Sequence, residues 1–359
     1  MNTEMRLSRM LPLSSSAINN GSHISSSTLP PSFYSLTPRQ PSINPKNPIT
    51  RNFISLNKSS FSPLKYSIFT NKQYMSTICS SKSDNGSHDS PFQGGESFFR
   101  EVLASMEAVY LSRNPTAKAV LELVGSVADD QICYDHFAFR TFGVNGYGID
   151  SMAKFFLDFG VPTSRGGSGV NGPLPRVFVS ELLVDQMSPQ TQDIIKKYTG
   201  ISGSGNKHAA LASALGSLTW EKPLHSEFQQ LARESEYAAW TLVNGYALNH
   251  ATISTHQLKS RLRDIKNLNQ FIEKNGFKLN SEGGTLKVSP DGLLQQSSTV
   301  ADSIHFQFSD GLTESVPCSY IEFAERLVKE HHRRDGFEVG NADKIFESTS
   351  KEQLTRKAA

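Results

Sequence analysis

The stretch YDHFAFRTFG, residues 134–143, has the alternation of side chains that is typical of a β-strand. Phe137 and Phe139 alternate with His136 and Arg140, so one face is apolar and the other carries an imidazole and a guanidinium. A solvated strand face would account for such a pair. A functional role for the pair requires partner residues elsewhere in the chain.

The sequence around this strand alternates between helical and strand patterns. Helical SFFREVLASMEAVYL and TAKAVLELVGSVADD precede the strand, and helical SMAKFFLDFG and the strand PRVFVSELLV follow it. Later, helical HSEFQQLARESEYAAWTLV leads into the strand GYALNHATIS, the helix THQLKSRLRDIKNLNQFIEKNGF and the strands GTLKVSP, SIHFQFSD and SVPCSYIEFAE. Helix, histidine-bearing strand, helix and strands thus occur twice, which indicates an α/β or α+β fold.

The N-terminal segment differs in composition from the rest of the chain. Its first eighty residues contain eighteen serines and eight prolines, and Glu4 is the only acidic residue there. A basic, serine-rich and acid-poor N-terminus is typical of an organelle transit peptide. We predict a plastid transit segment over residues 1–82, with a mitochondrial address or a disordered tail as the alternatives. Residues 83–96, SDNGSHDSPFQGGE, are predicted to form a turn-rich linker.

The remainder of the chain is mildly acidic and poor in cysteine. Without residues 1–82 it has 27 basic and 33 acidic side chains, a net charge of −6. Nucleic-acid binding requires a basic patch, which this composition disfavours, and no apolar run is long enough to span a membrane. Beyond Cys79 only Cys133 and Cys318 remain, which excludes a disulfide scaffold and a thiolate zinc site.

Three predicted strands each carry one unusual polar side chain: His136, His250 and Glu322. Two imidazoles and one carboxylate from rigid strands form the ligand set of a non-haem Fe(II) site with open coordination positions. Each residue also has an ordinary explanation, as a hydrogen-bonded core histidine or a solvated glutamate. Several residues compete for the same roles, namely His208, His225, His256, His305, His331 and His332 as imidazoles and Glu181 as the carboxylate.

Four long motifs resemble a known enzyme family. YDHFAFRTFG, NGYALNHATIS, GLLQQSSTVADSIHFQFSDG and VPCSYIEFAER together resemble the plant branch of the 2-oxoadipate dioxygenase/decarboxylase family, and the resemblance covers roughly residues 95–345. It implies an α+β fold similar to the vicinal oxygen chelate (VOC) enzymes. Their fold is a curved mixed β-sheet built from two βαβββ-type modules with flanking helices. We therefore expect such a domain over residues 97–345.

The resemblance also implies a chemistry and a set of site residues. The family's iron ligands fall on His136, His250 and Glu322, and its substrate-clamping arginine falls on Arg140. Fe(II) is the implied cofactor, and 2-oxoadipate and dioxygen are the implied substrates in a reaction of lysine breakdown that yields 2-hydroxyglutarate and carbon dioxide. Further candidates for contact with the substrate, besides His136 and Arg140, are Gln296, Ser298 and Gln307.

Some points depart from the family or stay open. Bacterial members are longer and have a C-terminal part that helps to enclose the substrate, whereas residues 346–359 here are expected to form a polar tail. What closes the pocket is therefore not predicted. Two rival functions remain: a metal-dependent lyase or isomerase of the glyoxalase kind, and a non-catalytic plastid protein with a vestigial site.

Overall fold

The structure is a computed structural model that describes residues 93–128, 132–144, 148–158, 176–201, 207–216 and 218–355. These residues form ten α-helices: α1 (Gln93–Arg113), α2 (Pro115–Val127), α3 (Ile149–Asp158), α4 (Pro189–Ile201), α5 (Lys207–Ala214), α6 (His225–Glu234), α7 (Glu236–Asn244), α8 (Ile265–Lys274), α9 (Val339–Phe346) and α10 (Lys351–Thr355). They also form ten strands: β1 (Tyr134–Phe142), β2 (Arg176–Leu182), β3 (Leu248–Ser254), β4 (Lys287–Val288), β5 (Leu294–Ser298), β6 (Ser303–Gln307), β7 (Thr313–Pro317), β8 (Tyr320–Arg326), β9 (Val328–Lys329) and β10 (His332–Arg333).

The main sheet is mixed and has six strands in the order β2-β1-β3-β8-β5-β4. Strand β1 runs parallel to β2 and antiparallel to β3, and β3 runs parallel to β8. Strands β5 and β4 complete the other side with antiparallel pairs. Strands β6 and β7 form a separate hairpin, as do β9 and β10.

The order of strands divides the sheet into two modules. The second module reads β3, α8, β4, β5 and β8 along the chain, and its strands lie side by side as β3-β8-β5-β4. This is a βαβββ module with the β6–β7 hairpin inserted before its last strand. In the described residues, the first module consists of β1, α3 and β2, and its two strands pair in parallel as β3 and β8 do in the second module. Helices α4 to α7 follow it. The modules join where β1 pairs with β3.

The two strands at this junction are buried on both faces. All nine residues of β1 and all seven of β3 are buried, because helices and the C-terminal segment cover the sheet. His136 is 2% exposed and Arg140 is 1% exposed. A solvated strand face, which the sequence left open as an explanation of these two residues, is thereby excluded.

One predicted helix is shorter than expected. The pattern over 255–277 predicted one continuous helix, whereas α8 starts at Ile265, after two short 3₁₀ turns. Asp264 caps α8 by accepting a hydrogen bond from Asn267 N, and Ser260 accepts one from Leu262 N in the preceding turn. Such side-chain bonds to the backbone compete with a continuous helix. The apolar residues of the pattern are nevertheless buried, namely Leu258, Leu262, Ile265, Leu268 and Ile272.

Residues at both ends of the predicted domain also differ from expectation. Helix α1 begins at Gln93, within the predicted linker, and the residues expected to form a polar tail from 346 onward pack against the sheet. Ser348, Thr349 and Gln353 are buried. Ser348 Oγ accepts a hydrogen bond from Asn280 Nδ2, and Gln353 Oε1 accepts one from Ser281 N. Composition does not distinguish polar side chains that bond inside the protein from solvated ones. The predicted transit segment lies outside the described residues. Within those residues, no helix combines the length and apolar character that a membrane crossing needs.

Candidate active site

Three neighbouring strands of the main sheet, β1, β3 and β8, bring three possible ligand atoms together. His136 comes from β1, His250 from β3 and Glu322 from β8, and one ligand atom of each lies within 4.8 Å of the others. Glu322 Oε2 lies 3.0 Å from His250 Nε2 and 3.8 Å from His136 Nε2. All three residues are buried. Two imidazole nitrogens and one carboxylate oxygen form a set that fits one transition-metal ion and leaves coordination positions free.

A β-bulge precedes each of the two histidines. The register between β1 and β3 shifts between Tyr134 and His136, and again between Ala138 and Phe139. The extra residues are Asp135 on β1 and Asn249 on β3. A bulge bends the strand and turns an extra residue out of the usual alternation. Each bulge residue can therefore direct its side chain toward the histidine that follows it.

These bulge residues fix the orientation of the imidazole rings. His136 Nδ1 donates a hydrogen bond to Asp135 Oδ2 at 2.8 Å, and His250 Nδ1 donates one to Asn249 Oδ1 at 2.9 Å. An ionised carboxylate only accepts hydrogen bonds, so the proton belongs to Nδ1 and the lone pair stays on Nε2. Thr252 Oγ1 also lies 3.0 Å from His136 Nε2. Neither bulge residue was predicted from the sequence, although the signal, Asp or Asn directly before each strand histidine, is visible there.

The other carboxylate oxygen of Glu322, Oε1, is fixed by a hydrogen bond. Gln296 Nε2 donates to Glu322 Oε1 at 2.6 Å, and Asn341 Nδ2 donates to Gln296 Oε1 at 2.9 Å. Oε1 is thus occupied, and Oε2 is the oxygen that faces the histidines. Gln296, predicted to contact substrate, lines the cavity beside the three ligands and bonds to one of them.

The protonation states of the site suit a metal cation. Burial lowers the pKa of His250, although the charge of Glu322 opposes this shift. Burial alone would raise the pKa of Glu322, but the two histidines and its hydrogen bonds outweigh burial and hold it below its ordinary value. A neutral imidazole and an ionised carboxylate at neutral pH are the forms that bind metals.

A buried ion pair supports the His136 side of the site. Arg326 donates from Nε to Asp135 Oδ1 at 2.7 Å and from Nη2 to Oδ2 at 2.9 Å, and Arg176 approaches Oδ1 at 3.2 Å. Burial raises the pKa of Asp135, but these arginines and His136 reverse the effect and hold it well below its ordinary value. Arg326 Nη1 also donates to Gly336 O at 2.8 Å, next to Phe337 of the cavity wall.

The three ligands open into one cavity with mostly apolar walls. The wall residues from the sheet and from the C-terminal segment are Ala138, Phe139, Phe178, Phe337, Ala342, Ile345 and Phe346. Four of these belong to residues 337–346, so the C-terminal part of this chain closes the cavity. This closure was not predicted from the sequence.

Arg140 lies beyond one wall of this cavity. Its guanidinium carbon lies 4.7 Å from the ring centre of Phe346, and 5.2 and 5.1 Å from those of Tyr237 and Trp240. It donates to Thr349 Oγ1 at 3.2 Å and to Phe346 O at 3.3 Å. Within the part of the chain that the structure describes, no carboxylate forms an ion pair with it, and its Nε has no hydrogen-bond partner.

The other predicted or competing residues lie away from the ligands. Ser298 is buried on β5, where its hydroxyl pairs with Ser348 at 2.9 Å rather than lining the cavity. Gln307, also predicted to contact substrate, is exposed on the β6–β7 hairpin and is not among the residues that line the cavity. His305 is exposed on the same strand, His225 bonds to Glu314, and Glu181 accepts from Ile149 N. His256, expected at an exposed helix start, is instead largely buried in a 3₁₀ turn, and burial lowers its pKa to about 4.

Comparison with known proteins agrees with this geometry. A relative from Arabidopsis thaliana, named as a chloroplastic 2-oxoadipate dioxygenase/decarboxylase, is 63% identical over 328 residues, which are 80% of this chain and 88% of the relative. The chain is also similar to the hydroxyglutarate synthase from Oryza sativa, seen in a crystal structure in complex with 2-oxoadipate, with 63% sequence identity and a TM-score of 0.69. The match covers 77% of this chain and 100% of the chain in that crystal structure.

A more distant structure bears on the fold. A protein of the glyoxalase superfamily from Ralstonia eutropha is similar with a TM-score of 0.52 at 20% identity, covering 67% of this chain and 85% of that chain. The predicted VOC-like fold class is thereby confirmed. Residues 102–329 match the family described as 2-oxoadipate dioxygenase/decarboxylase, and the chain therefore belongs to that family of enzymes.

Proposed function

We propose that the chain is an Fe(II)-dependent dioxygenase that converts 2-oxoadipate and dioxygen to 2-hydroxyglutarate and carbon dioxide. The observation that supports this proposal is the buried cluster of His136, His250 and Glu322 beside a closed, mostly apolar cavity. The reaction balances without a second reductant, since the 2-oxo acid supplies all the electrons. It therefore fits the breakdown of a six-carbon 2-oxo dicarboxylate such as that derived from lysine.

The bound iron would supply the site at which the 2-oxo acid chelates and dioxygen is activated. His136 and His250 would bind it through Nε2, and Glu322 through Oε2. Gln296 donates to the second oxygen, Oε1, so that Oε2 would be the oxygen available to the metal. The aromatic and aliphatic walls exclude water from the reacting carbon, which protects reactive species from side reactions.

Arg140 is the proposed partner of the far carboxylate of the substrate. A buried charge without a counter-ion is costly, and an anionic ligand would remove that cost. Burial also lowers the pKa of the Arg140 guanidinium. The contacts of Arg140 with Thr349 Oγ1 and Phe346 O are the ones that a carboxylate would replace, and Phe346 would turn aside to admit it.

Oxygen uptake tests the reaction class. The protein, loaded with Fe(II) under anaerobic conditions, is expected to consume dioxygen and form 2-hydroxyglutarate in equal amounts when 2-oxoadipate is added. A panel of 2-oxo dicarboxylates then defines the preferred chain length. Turnover without dioxygen would favour the glyoxalase-like alternative, and no turnover with any member of the panel would favour a vestigial site.

A substrate pair tests the role of Arg140. 2-Oxohexanoate has a methyl group where 2-oxoadipate has its far carboxylate. A charge-assisted hydrogen bond is worth about 1.5–3 kcal/mol, so Arg140→Ala should lower kcat/KM for 2-oxoadipate by about tenfold to a hundredfold. Arg140→Lys should recover part of this, since an ammonium lacks the planar fork. Equal discrimination between the two acids in wild type and Arg140→Ala would exclude this role.

The N-terminal segment is proposed to direct the chain to the plastid stroma. The relative named as chloroplastic supports a plastid location, and residues 1–82 have the composition of a transit peptide. A fusion of residues 1–90 to a fluorescent reporter should enter plastids. Reporter in mitochondria would support the alternative address, and reporter in the cytosol would exclude both.

A further inference from the structure

The two modules are related by an internal two-fold repeat at the site. Strands β1 and β3 pair antiparallel so that His136 lies opposite Thr252 and Ala138 lies opposite His250. Each histidine thus faces the residue that comes two positions after the other histidine. Each also follows a bulge residue that binds its Nδ1. His136 and His250 therefore occupy equivalent positions in the two modules.

The repeat extends to the strands that run parallel to these two. In the second module, Glu322 of β8 is in register with Thr252, two residues after His250. In the first module, the residue two positions after His136 is Ala138, and its partner on the parallel strand β2 is Phe178. Phe178 therefore stands where the repeat would place a second carboxylate ligand.

The surroundings of Phe178 agree with this position. Its side chain is 2% exposed and lines the cavity beside the three ligands. Its ring centre lies 4.6 Å from that of His136 and 5.3 Å from that of Phe337. A side chain at position 178 thus faces the same space as Glu322, but it offers an apolar ring and no ligand atom.

We propose that Phe178 determines the type of reaction by withholding a fourth protein ligand from the metal. This inference rests on the proposed function. A six-coordinate metal with three protein ligands has three positions left, two for a chelating 2-oxo acid and one for dioxygen. A carboxylate at position 178 would occupy the third of these positions. The site would then bind metal and substrate but no longer use dioxygen.

The test compares Phe178→Glu with the matched apolar variant Phe178→Leu. Affinity for Zn(II), and for Fe(II) without oxygen, is measured by competition with a chromophoric chelator. Phe178→Glu should bind metal about tenfold more tightly than wild type or more, while Phe178→Leu stays close to wild type. Oxygen uptake should be lower by about a hundredfold or more in Phe178→Glu than in Phe178→Leu, which shares the loss of the aromatic ring but brings no ligand atom. Phe178→His serves as a second ligand-bearing variant if buried glutamate prevents folding.

The outcomes separate this inference from the proposed function. Equal metal affinities in the Glu, His and Leu variants would mean that position 178 does not reach the metal, and would overturn the inference. Tighter metal binding together with wild-type oxygen uptake would overturn it as well. Failure of wild type to consume oxygen with any 2-oxo acid would instead contradict the proposed function, whereas the comparison of metal affinities would still test whether position 178 faces the metal.

Discussion

At the scale of single residues, each of the three proposed metal ligands is held by a neighbouring side chain outside the cluster. Asp135 and Asn249 bind Nδ1 of the two histidines, and Gln296 binds one oxygen of Glu322. Such partners fix the tautomer and the ring orientation of a ligand, and their loss typically costs about 10–100-fold in metal affinity. Their removal therefore weakens the site without removing a ligand.

Asn249 offers the cleaner variant, because its Nδ2 has no hydrogen-bond partner and Asn249→Ala loses only the bond to His250. We expect Zn(II) affinity to fall by about 10–100-fold. In the NMR spectrum of the Zn(II)-loaded protein, the slowly exchanging Nδ1 proton of His250 should disappear while that of His136 remains.

Two further variants of buried asparagines complete this test. Asn249→Asp keeps an acceptor and should restore the affinity. Asn244→Ala removes a buried asparagine that bonds to Trp240 O and Pro317 O instead, so it should lower stability and leave metal affinity unchanged. Equal Zn(II) affinity in Asn249→Ala and wild type would contradict the orienting role.

Two histidines test the identity of the ligands themselves. His250→Ala should abolish stoichiometric Fe(II) binding, because two remaining ligands cannot hold the ion tightly, and the circular dichroism spectrum should stay that of the folded protein. His305→Ala changes an exposed histidine of the β6–β7 hairpin and should bind Fe(II) normally. Normal iron binding in His250→Ala and loss in His305→Ala would reverse the assignment.

At the scale of elements, alternation along strands singled out the three residues that the structure brings together, because each lies on a strand with clear apolar neighbours. The same reasoning missed β5, since LQQSS lacks the β-branched and aromatic residues that mark strands. It also could not reveal the bulges, which depend on the register between two strands distant in sequence. The position of Gln307 away from the cavity was not predicted, because the alternation that predicts a strand does not tell which sheet the strand joins.

The role of the C-terminal segment could not be predicted from its composition, which is polar. Its polar residues bond to buried partners: Asn280 Nδ2 donates to Lys344 O at 2.9 Å and to Ser348 Oγ at 2.9 Å. Its apolar residues line the cavity. A polar sequence can therefore close a pocket when the domain supplies matching donors and acceptors, and such matches are not visible in the sequence alone.

This segment is expected to respond to pH through Glu347. Burial raises the pKa of Glu347 to about 7, with Glu236 adding to the shift and Arg140 opposing it. A carboxyl group with a raised pKa in the folded state contributes stability below its unfolded pKa, and the contribution is lost as pH rises toward 7. Glu347→Gln should therefore become more stable relative to wild type as pH rises from about 5 to about 8.

Urea unfolding at several pH values measures this difference. Glu273→Gln, an exposed position of α8, is the matched control and should follow the wild-type pH profile. Parallel profiles of wild type and Glu347→Gln would show that the ionisation of Glu347 does not affect stability.

At the scale of the whole molecule, a bound metal would join strands from both modules. It would bind the folded state and not the unfolded chain, so at about a hundredfold above its Kd it should stabilise the fold by about 2.7 kcal/mol. For a domain of this size that corresponds to a rise in Tm of about 5–10 °C. Thermal unfolding with Zn(II) and with a chelator should reveal the rise, and His250→Ala should lack it. An equal rise in His250→Ala would locate the stabilising ion elsewhere.

The position of β8 in the sheet has a consequence for biosynthesis. It is the last strand of the main sheet to be synthesised, yet it lies in the middle, between β3 and β5. Until it inserts, β3 and β5 each present an unpaired edge, the kind of edge that recruits other chains into aggregates. We therefore expect a nascent or prematurely terminated chain that lacks Tyr320–Arg326 to bind chaperones and to be degraded. Because Glu322 lies on β8, the cluster of His136, His250 and Glu322 is complete only once this strand has joined the sheet.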